Sequence, residues 1–379
     1  MSLLSLGVVG SSAKKNERRL PLHPEHIPHL DADVRERITL EHGYGERFGV
    51  SDEALAPHVA GFASRDAILA GSDVVLLPKP QHEDVAQLRE RAVLWGWPHC
   101  VQDPQLTQIA IDRRLTLIAF EVMNHWNSDG SFGLHVFHKN NELAGYCSIL
   151  HALQLAGLTG DYGRKLVAVV IGFGATARGA VTALNAHGVH AVGILTHRPT
   201  AAVASPIHSA QIRQIEPSTG GPAHVLVDDG RETLPAYLSQ ADVIVNCTLQ
   251  DPNDPQIYLR DEDLSVIRPG SVIVDVSCDA GMGFEWARPT SFDDPTFVVG
   301  DNVLYYAVDH SPSYLWNSAT WENSRALIPF LRPVLEGAEG WEANETVRRA
   351  IEIRDGRILN PAILEFQGRA AEHPHERSR

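Results

Sequence analysis

One continuous stretch, residues 166–198, constrains the fold of this 379-residue chain more than any other feature. It opens on residues 166–171, an apolar run rich in valine that is typical of a strand buried on both faces of a parallel sheet. A glycine-rich turn follows, residues 175–187 have the pattern of a helix, and residues 190–195 have the pattern of a second strand. This βαβ unit predicts a doubly wound α/β domain.

The turn in that unit has the glycine spacing of dinucleotide-binding sites. Gly172 permits a tight turn and Gly174 lets the backbone approach a pyrophosphate, while Ala177 is small enough for close helix–strand packing. The start of the helix, at Ala175 and Thr176, presents backbone N–H groups to phosphates. A short motif alone is weak evidence, and an ordinary βα turn is the alternative. Its position between a strand and a helix favours the cofactor site.

The end of the second predicted strand indicates which cofactor is bound. An NAD site usually carries Asp or Glu there, which accepts a hydrogen bond from the ribose 2′-hydroxyl. This chain has Thr196, His197 and Arg198 instead, with no acidic residue between Asp161 and Glu216. Arginine can bind a 2′-phosphate through two parallel hydrogen bonds, which predicts NADP(H) rather than NAD(H). The alternative is that this arginine is a solvated loop residue.

Composition argues against several other classes of function. A net charge of −15 disfavours nucleic acid and anionic membranes as partners. Four scattered cysteines without a CxxC pair predict reduced thiols and a cytoplasmic location. We see no apolar run of membrane-spanning length and no signal-peptide pattern. The histidines form no HxxxH or HExxH motif, so we expect no metal.

Three apolar runs in the first part of the chain end close to titratable residues. Predicted strands at 73–77, 93–97 and 115–120 are followed by Lys79, His99 and Glu121. Each residue alone would more commonly be structural or solvated. Because strand ends border the ligand crevice of open α/β sheets, three such groups together predict a shared site. The basic, proline-rich loop of residues 14–24 is either a solvated charge run or a clamp for a carboxylate.

The second half of the chain repeats this arrangement. Predicted strands at 225–227, 243–247, 272–276 and 303–308 are of the buried type, and residues 201–221 read as a polar loop. Residues 316–335 predict a long helix, and 351–359 predict a hairpin. We therefore expect an NADP-binding domain at 136–310, inserted into a discontinuous substrate domain of residues 1–135 and 311–379. The groups expected to face the nicotinamide lie at the ends of the second and third of these strands. They are Cys247, Thr248, Ser277 and Asp279.

The motifs of this chain together resemble one family over nearly its whole length. They read KNERRLPLHPE, EHGYGERFG, WGWPHCVQ, FHKNNELAG, IGFGATARGA, VIVDVSCD, VDHSPS and IRDGRILNPAILEFQ. The chain resembles the alanine dehydrogenase and lysine-forming saccharopine dehydrogenase superfamily, and most of all its N5-(carboxyethyl)ornithine synthase branch. The resemblance implies two Rossmann-like doubly wound domains.

The resemblance also implies roles for individual residues. The arginine matching Arg19 clamps the substrate carboxylate. The lysine and histidine matching Lys79 and His99 bind and protonate the keto oxygen. The aspartate matching Asp279 sits beside the nicotinamide.

One departure from alanine dehydrogenases concerns the amine. At 309–313 this chain has the Asp-His-x-Pro-Ser of the secondary-amine-forming members, where alanine dehydrogenases usually have an Asn-x-Pro pattern. Glu121 also resembles an acid of that branch. Asp309 with His310, Glu121, or both would then bind the donor's ammonium group. A second departure is residues 124–132, which are longer and more polar than the resemblance leads us to expect.

These observations predict an NADPH-dependent oxidoreductase, acting on CH–NH or CH–NH2 donors, that works as a cytoplasmic homo-oligomer. It would join a pyruvate-like 2-oxo acid to the amine of an ornithine-like amino acid and reduce the imine to a secondary amine. Its partners would be small molecules only. Two alternatives stay open at this point: an alanine dehydrogenase-like enzyme that uses ammonia, and a catalytically silent NADP-binding protein.

Overall fold

The computed structural model describes residues 3–198, 207, 209–216, 221–250 and 255–378. The chain forms two compact units. The first comprises Met1–His138 and Trp316–Arg379, and the second comprises Lys139–Leu315. Two separate segments therefore build the first unit, whereas the second is one continuous segment.

Strands and helices are numbered here along the chain. The strands are β1 Leu6–Val8, β2 Ile38–Glu41, β3 Gly61–Ala63, β4 Val74–Leu76, β5 Val93–Gly96, β6 Thr116–Ala119, β7 Asn124–Trp126, β8 Phe132–His135, β9 Val167–Ile171, β10 Ala191–Thr196, β11 Ala210–Glu216, β12 His224–Val227, β13 Gly230–Thr233, β14 Val243–Asn246, β15 Ile257–Leu259, β16 Val272–Asp275, β17 Gly283–Phe284, β18 Thr296–Val299, β19 Val303–Tyr306, β20 Ile351–Arg354 and β21 Arg357–Ile358. The α-helices are α1 Ala32–Arg35, α2 Asp52–Leu55, α3 Arg65–Gly71, α4 His82–Gln87, α5 Pro104–Asp112, α6 His138–Leu155, α7 Ala175–Ala186, α8 Leu234–Leu238, α9 Trp316–Leu335, α10 Ala338–Ala343, α11 Glu345–Ala350 and α12 Pro361–Phe366. In the part of the chain that the structure describes, none of these helices has the length and apolar character needed to cross a membrane.

The first unit is built on an eight-stranded sheet in the order β21-β20-β6-β5-β4-β1-β2-β3. The six strands from β6 to β3 are parallel, and β20 and β21 extend the sheet in antiparallel fashion. Strands β4, β5 and β6 are buried along their whole length, which explains their largely apolar sequences. Because these three strands are parallel neighbours, the loops that follow them leave the sheet at the same edge.

The second unit is built on a nine-stranded sheet in the order β13-β12-β11-β10-β9-β14-β16-β19-β18. The six central strands, β11 to β19 in that order, are parallel, and antiparallel strands cover both edges. Taken along the chain from β9, this is the 3-2-1-4-5-6 order of dinucleotide-binding folds. The predicted class, two Rossmann-like α/β domains, is confirmed.

Two predictions for the second unit were wrong. Residues 210–216, placed in a polar loop by the sequence, form β11, which pairs in parallel with β10. The surrounding Ser, Pro and Gly residues hid this half-buried strand, and residues 199–206, 208 and 217–220 lie outside the described part of the chain. Residues 225–227, predicted as a buried strand, belong to β12, an antiparallel strand near the sheet edge with mostly half-buried residues.

Candidate active site

A lysine and a histidine meet at the edge of the first unit's sheet. Lys79 is the third residue after β4, between the buried residues Pro78 and Pro80, and His99 follows β5. The Lys79 Nζ atom is 2.9 Å from the His99 Nε2 atom. The His99 ring is about half exposed, so a ligand can reach this pair. An ammonium and an imidazole at this separation can act on one oxygen atom.

Glu121 completes the predicted cluster by holding the backbone of His99. The chain leaves β6 in a short 3-10 turn, Phe120–Val122, which carries Glu121 toward the loop after β5. The Glu121 Oε1 atom accepts a hydrogen bond from the His99 backbone N–H at 2.7 Å, and it lies 3.9 Å from His99 Nδ1. His99 has a backbone φ of +50°, a left-handed conformation that residues other than glycine rarely adopt. The structure thus brings Lys79, His99 and Glu121 together.

The Glu121 carboxyl has an unusual electrostatic environment. Burial and, after it, the charge of a second carboxyl, that of Glu352, raise the pKa of Glu121 to about 8. The hydrogen bond from the His99 N–H and the charge of Lys79 oppose this rise. The Glu121 Oε2 atom is buried and has no hydrogen-bond partner among the described residues. Sequence reasoning found Glu121 but missed Glu352, which lies far away along the chain.

Arg19 is held by an acid that the sequence analysis did not single out. Its side chain is buried, and its Nε and Nη2 atoms donate hydrogen bonds to the two carboxylate oxygens of Glu17 at 2.9 and 2.5 Å. The guanidinium lies 5.3 Å from the centre of the Trp97 ring, and Lys79 Nζ lies 5.7 Å from the same ring. Trp97 therefore links Arg19 to the Lys79–His99 pair.

The glycine turn of the second unit has the geometry of a phosphate site. Gly172 has a φ of +103°, and a Cβ atom there would lie 2.9 Å from the backbone oxygen of Cys247. A Cβ atom on Gly174 would meet nothing within 4 Å. Gly174 caps α7 without a side-chain hydrogen bond, so the first N–H groups of Ala175 and Thr176 stay available. These residues fit a nicotinamide dinucleotide.

The residues expected to select the cofactor lie beside that turn. Arg198 is exposed, and its Nη2 atom donates to the backbone oxygen of Phe173, within the turn, at 2.8 Å. Its backbone N–H donates to Thr196 Oγ1 at 3.2 Å. The His197 ring stacks with Tyr258, and burial lowers the pKa of His197. The structure therefore places Arg198 next to the proposed pyrophosphate site.

The groups predicted to face the nicotinamide follow the neighbouring strands β14 and β16. Ser277 Oγ donates to the backbone oxygen of Thr248 at 2.6 Å, which ties the two loops together. Cys247 is buried, and Asp279 is half-buried with a pKa that burial raises.

A buried acid that sequence reasoning missed lies directly beneath this loop. Asp275 accepts hydrogen bonds from Tyr305 Oη at 2.6 Å, from Asn246 Nδ2 at 2.9 Å and from the Cys278 N–H at 3.1 Å. Burial raises its pKa to about 6. Cys278 has a φ of +49°, so Asp275 supports a strained residue just before Asp279.

Asp309 and His310 form a pair after β19. The His310 Nδ1 atom is 2.6 Å from Asp309 Oδ1. His310 is buried and the Asp309 side chain is 33% exposed, so the histidine anchors a carboxylate that a ligand can reach. The His310 Nε2 atom is buried and has no hydrogen-bond partner among the described residues.

Across the part of the chain that the structure describes, there is no group of three His, Cys, Asp or Glu side chains that could hold a metal.

Comparison with known proteins places the chain in a family. Residues 8–142 match the N-terminal domain of the alanine dehydrogenase/PNT family, and residues 162–361 match its C-terminal domain. The chain is 26% identical over 370 residues to an alanine dehydrogenase of Mycobacterium tuberculosis, covering 94% of this chain and 95% of the relative. It is 23% identical over 359 residues to alanine dehydrogenase 2 of Staphylococcus aureus, covering 93% of this chain and 94% of the relative.

Solved structures show the same fold. An L-alanine dehydrogenase structure superposes with a TM-score of 0.75 at 19% identity, covering 96% of this chain and 99% of the other. The expected class, a nicotinamide-dependent oxidoreductase that acts on carbon–nitrogen bonds of small molecules, is confirmed by the matching family. Over both of its units, the chain belongs to the alanine dehydrogenase/PNT family.

Proposed function

We propose that this protein joins a 2-oxo acid to an amine and reduces the resulting imine with NADPH. The observation that carries the proposal is the 2.9 Å contact between Lys79 Nζ and His99 Nε2, with Glu121 fixing the His99 backbone. The Lys79 ammonium polarises the oxo oxygen, which favours attack by the amine. His99 then protonates that oxygen as water leaves, because an imidazole can donate a proton near neutral pH.

Arg19 binds the carboxylate of the oxo acid in this proposal. Its guanidinium is already oriented by Glu17 and packed against Trp97, so little conformational freedom is lost when the substrate binds. Arg19 and Lys79 both lie against the Trp97 ring, so the two cations belong to one cluster. Charge-assisted hydrogen bonds of this kind contribute about 1.5–3 kcal/mol each.

The second unit holds the cofactor, which supplies the hydride that reduces the imine carbon. Gly172, Gly174 and the start of α7 bind its pyrophosphate, and Arg198 binds a 2′-phosphate. Cys247, Thr248 and Ser277 line the nicotinamide end, and Asp279 orients the cofactor or the substrate there. If the donor enters and the product leaves as ammonium ions, each turnover consumes one hydride and one proton and releases one water.

The donor in our proposal is the amine of an amino acid such as ornithine, with a pyruvate-like oxo acid as acceptor. Support comes from Asp309, an exposed carboxylate that the buried His310 anchors and that can bind an ammonium group. The second candidate donor is ammonia. It is favoured by the relatives of near-equal length, which are alanine dehydrogenases.

A panel of amines distinguishes these possibilities. We would measure NADPH oxidation with pyruvate and ammonia, ornithine, lysine or other diamino acids, and identify each product by mass spectrometry. We expect a secondary amine from a diamino acid, formed faster than alanine from ammonia. A primary amino acid from ammonia as the best product would replace our proposal with the second candidate. NADPH oxidation by none of the pairs would favour a silent binding protein.

A further inference from the structure

A buried acid outside the proposed chemistry lies next to it. We propose that Glu352 shares one proton with Glu121 beneath the Lys79–His99 pair and thereby acts as a positioning residue that sets the charge facing His99. The proton sharing is independent of the reaction, whereas its effect on His99 rests on the proposed function.

Two consecutive residues of the loop after β5 bring the two glutamates into one cluster. Glu121 accepts a hydrogen bond from the His99 backbone N–H at 2.7 Å, and Glu352 accepts one from the side chain of the next residue, Cys100. Strand β20, which carries Glu352, pairs with β6, the strand that precedes Glu121. The Glu352 side chain points into the unit, since the residue is 2% exposed. It accepts a hydrogen bond from Asn360 Nδ2 at 2.8 Å and another from the buried Cys100 thiol.

Both carboxyls carry an oxygen that lacks a partner. Among the described residues, the Oε2 atoms of Glu121 and Glu352 are buried and accept no hydrogen bond. A fully ionised carboxylate in such a place is costly, and two together are costlier because like charges repel. A proton held by one of the two removes that repulsion. Burial shifts the pKa values of both carboxyls upward, and the charge of Glu352 adds to the shift of Glu121.

Some of the other titratable groups around the pair lie near Glu121 alone, and one lies near both carboxyls. Lys79 and His99 face Glu121, and the His135 ring contacts the backbone oxygen of Glu121 at 3.2 Å. Cys100 faces both carboxyls, and burial holds its pKa well above the usual value, so it stays a neutral thiol. The charge of Lys79 favours ionisation of Glu121, whereas the hydrogen bonds from Asn360 and Cys100 favour ionisation of Glu352, so the proton can sit on either carboxyl.

The position of this proton decides what His99 meets. When the proton is on Glu352, an ionised Glu121 lies 3.9 Å from His99 Nδ1 and stabilises the imidazolium. When the proton moves to Glu121, that stabilisation is lost. The transfer moves one proton between two carboxyl oxygens, so no other reactant is needed. Replacing Glu352 with a neutral residue should let Glu121 ionise at lower pH.

The direct test is infrared spectroscopy of the complete protein during a pH titration. We would follow the C=O stretch of protonated carboxyl groups in the parent and in E352Q, with the E121Q/E352Q double variant as the spectral background. In the parent this band should persist at neutral pH. In E352Q the band should disappear at a pH that is lower than in the parent by about one unit or more. One unit is a tenfold change in proton concentration. The control E365Q, an exposed glutamate of α12, should match the parent. An unchanged titration in E352Q would overturn the proposal.

A second variant covers the case in which E352Q does not fold. The Asn360 side chain stabilises ionised Glu352 and also caps α12 through its Oδ1 atom. N360S keeps a capping oxygen but loses the amide donor, so the band should persist to higher pH, opposite to E352Q. A downward shift in N360S would contradict proton sharing.

Kinetics then test the link to His99. The acid limb of the kcat/KM profile should shift to lower pH in E352Q and not in E365Q, with plateau turnover within a few-fold of the parent. A shifted infrared titration with an unshifted profile would overturn the positioning role alone. Because the infrared result needs no turnover, it stands even if the proposed reaction is wrong.

Discussion

At the scale of single residues, the two units support a strained loop residue in the same way. His99 and Cys278 both have left-handed backbone conformations, with φ values of +50° and +49°. Each donates its backbone N–H to a carboxyl with a raised pKa, Glu121 and Asp275 respectively. Such conformations cost about 1–3 kcal/mol, and the hydrogen bond to the acid offsets part of that cost. Strain of this kind clusters at functional positions, which supports a functional role for each loop within its own unit.

The sequence predicted some of these residues and missed others for a physical reason. Lys79, His99 and Glu121 could be found because each follows an apolar run. Glu352 could not, since it sits within a strand of a distant segment and gains its role only when β20 pairs with β6. Asp275 lay inside the predicted strand 272–276, and nothing local shows that Asn246 and Tyr305 converge on it.

The cofactor preference is a prediction at this scale. Replacing Arg198 with Ala should weaken NADPH binding by about tenfold or more, because a charge-assisted bond to the 2′-phosphate contributes about 1.5–3 kcal/mol. NADH binding should change only a few-fold, since Arg198 also donates to the Phe173 oxygen beside the pyrophosphate. We would measure both dissociation constants by fluorescence titration.

The control for this experiment is Arg231→Ala. Arg231 is an exposed arginine of the same unit that pairs with Glu216 at 3.0 Å. Its removal should leave both cofactor affinities unchanged. Two results would show that Arg198 does not bind the 2′-phosphate. One is equal binding of NADPH and NADH by the parent protein, and the other is an equal loss of affinity for both cofactors in Arg198→Ala.

At the scale of elements, the glycines around α7 have two separate jobs. Gly174 faces open space at the start of the helix. Gly179 packs against α6, where an added Cβ atom would lie 1.7 Å from the backbone oxygen of Glu142. Gly145 of α6 makes the reciprocal contact, with a Cβ 1.9 Å from the oxygen of Thr176. Close approach of the two helices therefore requires glycine on both.

Alanine substitutions should separate these two jobs. Gly179→Ala should destabilise the protein by about 1–3 kcal/mol, because the helices must move apart. Gly174→Ala should leave stability nearly unchanged and weaken cofactor binding, since its Cβ occupies space that the pyrophosphate needs. Urea unfolding and cofactor titration measure the two effects.

Gly71→Ala serves as the control, because a Cβ atom at Gly71 meets nothing within 4 Å. It should alter neither stability nor cofactor binding. If Gly174→Ala binds the cofactor as the parent does, the turn is only an ordinary βα connection.

Long and strongly patterned elements were easier to predict than short edge strands. Helix α9 spans Trp316–Leu335, the range that its amphipathic pattern predicts. Strand β11 was missed because its burial alternates poorly and because it lies among turn-forming residues. Pairing with β10 supplies the stability that its local sequence lacks.

At the scale of the whole molecule, the order of the strands decides which strand ends lie next to each other. The order 3-2-1-4-5-6 sets β9 between β10 and β14, so the glycine turn, Arg198 and Thr248 fall at one edge. The order β6-β5-β4 does the same for Lys79, His99 and Glu121. The sequence indicates which residues end strands, but which strands are neighbours is fixed by long-range pairing, which the local sequence does not show.

In the reaction we propose, hydride reaches the carbon of an imine formed at Lys79 and His99. The direct measurement uses NADPH with deuterium at its transferable position, together with pyruvate and ornithine. We expect one deuterium on the product carbon that bears both the carboxylate and the new nitrogen bond. Lys79→Met and His99→Ala should lower this incorporation rate by about 10²–10⁴-fold while NADPH still binds. The exposed controls Lys165→Met and His373→Ala should match the parent. Product without deuterium at that carbon, or parent rates in a folded Lys79→Met or His99→Ala variant, would contradict the account.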